Sequence, residues 1–264
     1  MGTLSNVADV PYVVAGFLVG GLVGLTGIGG GSLMTPVLVF LFGLSPSVAV
    51  GTDLLFAAAT KSVATLVHGS TRRIDWPIVW KLAAGSLPAA IAVVISLHGS
   101  ARTHIDPLIV HALGVMLFLT AMGLVFRERL IRFGTRVNPA EAYPRTQLAL
   151  TVATGVLLGT AVSLTSVGAG ALGTVALFCL YPRRLTPVRL VATDIAHALP
   201  LTLVAGLAHA AVGDVNYRLL VDLLAGSIPG ILLGTWGVVR APGAWVRWAV
   251  AALLLISCGR ALGI

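Results

Sequence analysis

Two glycine-rich stretches interrupt long apolar runs and carry residue types suited to ligand binding. The first is Leu25-Thr26-Gly27-Ile28-Gly29-Gly30-Gly31-Ser32, and a weaker copy runs from Leu164 to Ala171. Each glycine costs a helix about 1 kcal/mol relative to alanine, so helical structure is predicted to stop at both stretches. In a bilayer, unwound backbone survives only where protein buries it or where it lines a wet cavity. We therefore predict that both breaks belong to a substrate site.

The chemistry expected at these breaks is anion binding. A helix that restarts after a break turns its free N–H groups and positive dipole end toward that break. Discontinuous helices of secondary transporters hold anionic groups in this way. The alternative is that the glycines only permit close helix packing, as the Gly20-x-x-x-Gly24 and Gly155-x-x-x-Gly159 patterns do. The predicted binding residues at the breaks are Thr26, Gly27, Gly29, Gly30, Gly31, Ser32, Thr165, Ser166, Gly168 and Gly170.

Four ionisable residues lie inside apolar segments downstream of the breaks. Because such groups are expensive in a membrane, Asp53, Lys61, Asp194 and His197 are candidates for function. Asp53 and Lys61 are eight residues apart, about 12 Å along a helix, so they share a face without touching directly. We predict that Lys61 attracts the anion and that Asp53, Asp194 and His197 couple transport to a proton. The alternatives are helix capping or mutual bonding for the aspartates, and a simple kink at Pro200 beside His197.

Two further histidines, His68 and His209, end predicted helices beside turn residues. A C-terminal cap or an interfacial anchor is the expected role of such residues. We therefore do not include them in the predicted site.

Composition places the chain in the membrane. The 264 residues are 57% hydrophobic and 10% charged, and their mean hydropathy is +1.00, whereas soluble domains are about 25% charged. Met1 to Val10 contains no lysine or arginine, so a cleaved signal peptide is not expected. Cys179 and Cys258 lack ligand-like neighbours, so we expect neither a disulfide framework nor a thiolate metal site, and no cofactor. The arginines behind the net charge of +8 are dispersed, which argues against nucleic-acid binding.

The positioning elements are predicted to be ten apolar helical segments, five in each half of an all-α polytopic membrane protein. The segments are Val10–Leu25, Ser32–Phe42, Ser47–Val67, Pro77–Leu97, Pro107–Phe126, Thr146–Leu164, Leu172–Tyr181, Pro187–Ala208, Tyr217–Val238 and Ala244–Leu262. The second and seventh have about 11 residues, roughly 16 Å of helix, which is too short to span alone. They are predicted to be half-helices that follow the breaks.

The two halves are copies of one unit. Besides the breaks, Thr52-Asp53 matches Thr193-Asp194, His68 matches His209, and Gly85-Ser86-Leu87-Pro88 matches Gly226-Ser227-Ile228-Pro229, all at one spacing. We therefore divide the chain into a first membrane repeat (1–126), a cytoplasmic linker (127–145) and a second membrane repeat (146–264).

Arginine placement indicates how the repeats are oriented. If the linker is cytoplasmic and every segment crosses, most arginines fall on the cytoplasmic side, as the positive-inside rule requires. If the two short segments dip in and return, Arg183, Arg184 and Arg189 move outside and the bias weakens. An odd number of crossings per half, and hence inverted repeats with both termini outside, is therefore favoured.

At this point the chain resembles the sulfite exporter TauE/SafE family of membrane permeases over nearly its full length. The resemblance implies a duplicated helical permease that exports sulfite or an organosulfonate across the cell inner membrane. It implies about eight spans, fewer than the ten predicted segments, so eight to ten spans are expected. It is carried by Gly24 to Gly31 with Pro36, Val50-Gly51-Thr52-Asp53-Leu54-Leu55 with Lys61 and His68, Arg73-Ile74-Asp75-Trp76, Gly85-Ser86-Leu87-Pro88, Ala192-Thr193-Asp194-Ile195-Ala196-His197-Ala198 and Gly226-Ser227-Ile228-Pro229-Gly230.

The predicted function is therefore secondary transport of a small sulfur-containing anion, with a proton as the expected coupling ion. Gly27 to Ser32 lacks the Gly-Lys-Ser/Thr ending of a P-loop, so nucleotide-driven transport is not expected. Alternatives left open are an anion channel and a carrier of another small carboxylate or oxyanion. An enzyme is disfavoured because no nucleophile and base pair recurs at usable spacing. A homodimer is compatible with the sequence.

Overall fold

The computed structural model describes residues 9–26, 31–68, 74–98, 102–126, 144–168, 170–237 and 243–262. All regular secondary structure in these ranges is helical. The helices are α1 Val10–Thr26, α2 Gly31–Phe40, α3 Pro46–His68, α4 Trp76–His98, α5 Arg102–Val125, α6 Pro144–Thr165, α7 Ala171–Leu180, α8 Pro187–Ala211, α9 Tyr217–Gly237 and α10 Gly243–Leu262.

Each predicted apolar segment corresponds to one of these helices, although several helix ends differ. The largest difference is at α5, which begins at Arg102 rather than at the predicted Pro107. The predicted segment began at Pro107, whereas the structure places this proline inside the helix. The polar residues before Pro107 extend the helix beyond the apolar run, because a helix needs backbone hydrogen bonds and not hydrophobic side chains.

Several helices have the length and composition of membrane spans. Among the described residues, five are long and apolar enough to cross a bilayer: Trp76–His98, Ile105–Gly123, Arg145–Thr165, Val188–Ala211 and Tyr217–Gly234. Shorter apolar helical stretches cover Val10–Leu25 and Ala251–Ala261. Large apolar side chains such as Leu18, Leu157 and Ile256 lie on the outer surface. The fold is thus that of a polytopic helical membrane protein.

The packing between helices keeps the same pattern when the two halves are exchanged. Helix α1 packs along α9, and its counterpart α6 packs along α4. The equivalent helices α3 and α8 contact each other, as do α5 and α10. The duplication seen in the sequence is therefore repeated in the tertiary contacts.

Glycines allow the two principal helix pairs to approach closely. A methyl group at Gly16 or Gly20 of α1 would overlap the backbone of Leu223 or Ser227 in α9. The equivalent pair repeats this arrangement, since Gly155 and Gly159 of α6 lie against the backbone of Leu82 and Ser86 in α4. Small residues of this kind permit backbone contact between membrane helices. At Gly20, Gly155 and Gly159, the close packing that the glycine patterns indicate is present.

A test of this packing compares two glycines of α1. Gly16→Ala is expected to destabilise the protein by roughly 1–3 kcal/mol, because the added methyl group meets backbone atoms that cannot move aside. The matched control is Gly21→Ala, where a methyl group would meet only the Gly230 carbonyl oxygen at 3.8 Å. Alanine also favours the helix, so the control should be neutral or stabilising. Thermal unfolding in detergent measures both, and equal melting temperatures would contradict the packing described here.

Candidate functional site

The aspartate in each half binds the short helix of its own half. The backbone N–H and the Oγ1 hydroxyl of Thr35 in α2 donate to Asp53 Oδ2 in α3, at 3.0 and 2.5 Å. The Thr174 hydroxyl in α7 lies 3.3 Å from Asp194 Oδ2 in α8, but its shorter contact, 2.5 Å, is with the Gly170 carbonyl oxygen before its own helix. Both carboxylates are buried. Asp53 therefore fastens α2, Asp194 makes a weaker contact with α7, and the described hydrogen bonds do not join the two aspartates to each other.

Lys61 is a buried cation that interacts with the aspartates of both halves. It is 4% exposed and interacts electrostatically with Asp53 on its own helix and with Asp194 on α8. Asp53 and Lys61 share a face of α3 as predicted, and α8 adds the third charge. Buried charges are costly unless they are paired, and Lys61 interacts with a carboxylate from each half.

Only the first half supplies a lysine. The residue of α8 that corresponds to Lys61 is Thr202, whose hydroxyl donates to the Ala198 carbonyl oxygen of its own helix at 2.9 Å. The two similar halves thus form one unsymmetrical site, in which a single ammonium group faces two carboxylates.

The second break interrupts the helical backbone as the glycine pattern predicts. Helix α6 ends at Thr165 and α7 begins at Ala171. Ser166 has a φ of 57° and Gly168 a φ of 113°, both in the left-handed region that favours glycine. Gly170 precedes α7 without a side-chain cap. The break is therefore a locally strained turn between two helices, with the start of α7 directed toward it.

The two predicted hydroxyl donors of the second break have different surroundings. The Thr165 hydroxyl donates to the Ala161 carbonyl oxygen at 2.7 Å, so it is already engaged within α6. Ser166 lies next to Asp53 of the first half. Ser166 Oγ and Asp53 Oδ1 are both buried, and within the described residues no other group meets their hydrogen-bonding capacity. The break of one half therefore meets the aspartate of the other half.

The remaining predicted site residues are placed as follows. His197 is buried in α8, and its Nε2 lies 2.8 Å from Ser86 Oγ in α4. Gly31 is the first residue of α2. Predicted residues that lie outside the described structure are Gly27, Gly29 and Gly30, together with the side chains of Thr26 and Ser32.

Sequence reasoning missed the two threonines that bind the aspartates. Thr35 and Thr174 occupy equivalent positions, each two residues after the leucine that ends the shared break pattern. The repeat therefore contained the signal. His209 was also assigned wrongly as a cap or anchor, because it is 1% exposed and its Nε2 lies 2.9 Å from the Ser163 carbonyl oxygen of α6.

The two ends of the helix bundle are built alike but carry different charges. At one end the Asp75 N–H donates to Thr193 Oγ1 at 3.0 Å, and at the other the equivalent Asn216 N–H donates to Thr52 Oγ1 at 3.0 Å. The Asp75 carboxylate also accepts two hydrogen bonds of 2.8 Å from Arg184. Arg189 lies 3.5 Å from the same carboxylate. An ion cluster thus joins the halves at the Asp75 end.

The opposite end contains a cavity of about 200 Å³. It is formed by the start of α3, the end of α4, the start of α5 and the turn after α8. The lining residues are Ser47, Val94, Leu97, His98, Ile105, Ile109, His209, Val212 and Asp214.

Comparison with known proteins agrees with this architecture. Residues 12–261 match the family model described as Sulfite exporter TauE/SafE. The chain is 39% identical over 252 residues to the probable membrane transporter protein YjnA of Bacillus subtilis (strain 168), covering 94% of this chain and 98% of that protein. It is 28% identical over 250 residues to the probable membrane transporter protein YdhB of the same organism, covering 91% and 97%. No solved structure matches the chain. This chain is a duplicated helical membrane protein, and the family model matches nearly its whole length. It belongs to the TauE/SafE sulfite exporter family of membrane transporters.

Proposed function

We propose that this protein is a multi-pass transporter of the cell inner membrane that exports a small sulfur-containing oxyanion, sulfite or an organosulfonate, by secondary transport. The feature that supports this most is the central site, where buried Lys61 interacts electrostatically with Asp53 of its own half and with Asp194 of the other half. The family match and the membrane-transporter relatives give the class of activity.

In this proposal the anion binds between the breaks. Lys61 supplies the positive charge, and backbone N–H groups at the starts of α2 and α7 supply hydrogen-bond donors. Ser166 adds a hydroxyl group beside Asp53. Low dielectric strengthens each of these interactions relative to water. Asp53 and Asp194 compete with the anion for Lys61, so a proton on either carboxylate would favour anion binding. The proton then travels with the anion, and the outward gradient of the anion drives both.

Inverted repeats would account for alternating access to this site. The contacts of α1 with α9 and of α6 with α4 show the two-fold relation between the halves on which this proposal depends. Transporters of this design rock one repeat against the other around a fixed central site. The Asp75 ion cluster would then close one end, while the cavity at the Ser47 end marks the opposite opening.

Neutralising the Asp75 carboxylate is expected to open the end of the transporter that the ion cluster closes. Asp75→Asn removes the negative charge and one of the two oxygens that accept the Arg184 bonds, and it copies the asparagine found at the other end. Hydrogen bonds to charged groups contribute about 1.5–3 kcal/mol, so the ratio of closed to open molecules should fall roughly tenfold or more. In a background with Cys179→Ser and Cys258→Ser, spin labels at Pro77 and Thr186 should show a new, longer distance by pulsed electron resonance.

The control for this experiment is Asn216→Asp at the opposite end. It adds a carboxylate to the equivalent backbone position, and we expect it to leave the label distance unchanged because the labels are at the Asp75 end. The charge-reversed pair Asp75→Arg with Arg184→Asp should restore part of the short distance. A distance distribution in Asp75→Asn identical to that of the unmodified protein would show that the cluster does not hold this end closed.

The proposed function is tested in proteoliposomes loaded with sulfite. A carrier should show counterflow, in which unlabelled sulfite on the far side accelerates entry of labelled sulfite. An anion channel would show flux without this stimulation. Thermal shift of the purified protein against sulfite, thiosulfate, sulfate and small sulfonates identifies the anion, since a ligand of the folded state raises its melting temperature. Absence of both counterflow and any anion-dependent shift would reject the proposal.

A further inference from the structure

Near the end of α6, one backbone carbonyl group lacks its usual hydrogen bond within the helix and is bound by a residue of another helix. In an uninterrupted helix the Val167 N–H would donate to the Ser163 carbonyl oxygen. Instead it donates to Thr165 Oγ1 at 3.2 Å. The Ser163 carbonyl oxygen lies 2.9 Å from His209 Nε2 of α8. A histidine from outside the break therefore replaces the hydrogen bond that the break removes.

This contact determines which ring nitrogen of His209 carries hydrogen. A carbonyl oxygen only accepts hydrogen bonds, so His209 must donate through Nε2. In the neutral ring the other nitrogen, Nδ1, then has a free lone pair. Nδ1 is buried and makes no hydrogen bond within the described residues, and Asp214 Oδ2 lies 3.7 Å from it. His209 thus has one nitrogen committed to the break.

The other side of His209 faces the cavity at the Ser47 end. Ser47 Oγ in the same cavity wall is also buried without a hydrogen-bond partner in the described structure. Helix α3 restricts the position of the histidine, because a methyl group at Gly51 would overlap the Asp214 carbonyl oxygen and lie 3.0 Å from His209 Cβ. The side chain therefore lies between the cavity and the break.

The bonded carbonyl is three residues before Ser166, which has the left-handed backbone and lies next to Asp53. A buried carbonyl without a partner is costly, so loss of the histidine should let this segment rearrange. Rearrangement would move Ser166 relative to Asp53 and alter the central site without any change in the residues that contact the anion.

We propose that His209 is a positioning residue of the substrate site, which holds the second break in its unwound geometry through the Ser163 carbonyl. The inference deepens the proposed transport function and rests on it for the transport measurement only. Its structural part, the stabilisation of segment 163–170, does not depend on the substrate.

The first measurement is hydrogen exchange of segment 163–170 in the full-length protein in detergent, without added anion. His209→Leu fills the ring's space but has no donor, and amides of this segment should exchange roughly tenfold faster. His209→Gln retains an N–H donor and should exchange like the unmodified protein. His111→Leu is the control, because His111 is exposed and its Nδ1 bonds the Pro107 carbonyl oxygen of its own helix.

The second measurement is the KM for sulfite in proteoliposomes. A positioning role predicts a KM roughly tenfold higher in His209→Leu, an unchanged maximal rate and rescue by His209→Gln. A merely structural role would lower the melting temperature and the amount of folded protein while leaving the KM unchanged. If His209→Leu does not fold, His209→Asn replaces it, since its shorter amide cannot reach the carbonyl.

Unchanged exchange of segment 163–170 in the leucine or asparagine variant would overturn the inference. Failure of the unmodified protein to transport sulfite would instead reject the proposed function. In that case the exchange measurement would still decide the role of His209.

Discussion

Replacement of Lys61 by methionine is expected to reduce sulfite transport roughly 100-fold or more. Methionine keeps most of the aliphatic stem but removes the charge that faces Asp53 and Asp194. Two buried carboxylates would remain without a counter-charge, and removal of one partner from buried charges costs about 3–5 kcal/mol. The anion would also lose its cationic partner. Initial rates of sulfite uptake into proteoliposomes measure the effect.

A loss of folded protein must be distinguished from a loss of anion binding. The double variant Lys61→Met with Asp194→Asn removes one of the stranded charges, so it should recover stability but not transport. Lys61→Arg keeps the charge and should retain part of the activity. The control is Lys81→Met in α4, a lysine that lies partly exposed near the helix start. Full transport by a stable Lys61→Met variant would rule out the proposed anion site.

Replacement of both aspartates by asparagine is expected to abolish proton-coupled transport while leaving exchange intact. Asparagine preserves the shape of each side chain and, at position 53, an oxygen that accepts the Thr35 bonds, so the half-helices should stay in place. It cannot take up or release a proton. Uphill sulfite movement driven by a pH gradient should therefore fall below one tenth of the original rate, since a coupled carrier without its proton site can only equilibrate its substrate.

The matched control is Asp106→Asn. Asp106 Oδ1 also accepts a backbone N–H, from Ser47 at 3.3 Å, but it lies at the start of α5 rather than in the central site. It should retain coupling. Counterflow at equal pH should continue in the double variant, because exchange needs binding and not net proton movement. Undiminished gradient-driven transport in that variant would remove proton coupling through these aspartates from the proposal.

Much of the architecture could be predicted because it depends on local signals. Apolar runs of helical length predicted the ten helices. The glycines predicted the stop at Thr165 and the restart at Ala171, since helix propensity is a property of a few neighbouring residues. The free-energy cost of placing ionisable groups in a membrane indicated Asp53, Lys61 and Asp194 as functional candidates. The structure brings these three residues together. Glycine spacing also indicated the close packing that α1 makes with α9 and that α6 makes with α4.

The hydrogen-bond partners of individual polar atoms were harder to predict from the sequence. Thr165 has the right residue type for an anion donor, yet the Ala161 carbonyl oxygen of its own helix already accepts from its hydroxyl. His209 has the sequence position of a helix cap, yet it binds Ser163 in another helix. Competition between nearby and distant partners is settled by packing distances, which residue type and spacing do not contain.

The amino-acid sequence by itself determined that this chain is a duplicated membrane protein with a broken helix and a buried aspartate in each half, because hydropathy, glycine content and repetition are written along the chain. Only the tertiary structure decided that Ser166 of one half meets Asp53 of the other and that Arg184 binds Asp75 at one end alone. These contacts join residues more than 100 positions apart. They arise because burying both apolar repeats against each other brings distant backbone segments within hydrogen-bond distance, and no local pattern encodes that proximity.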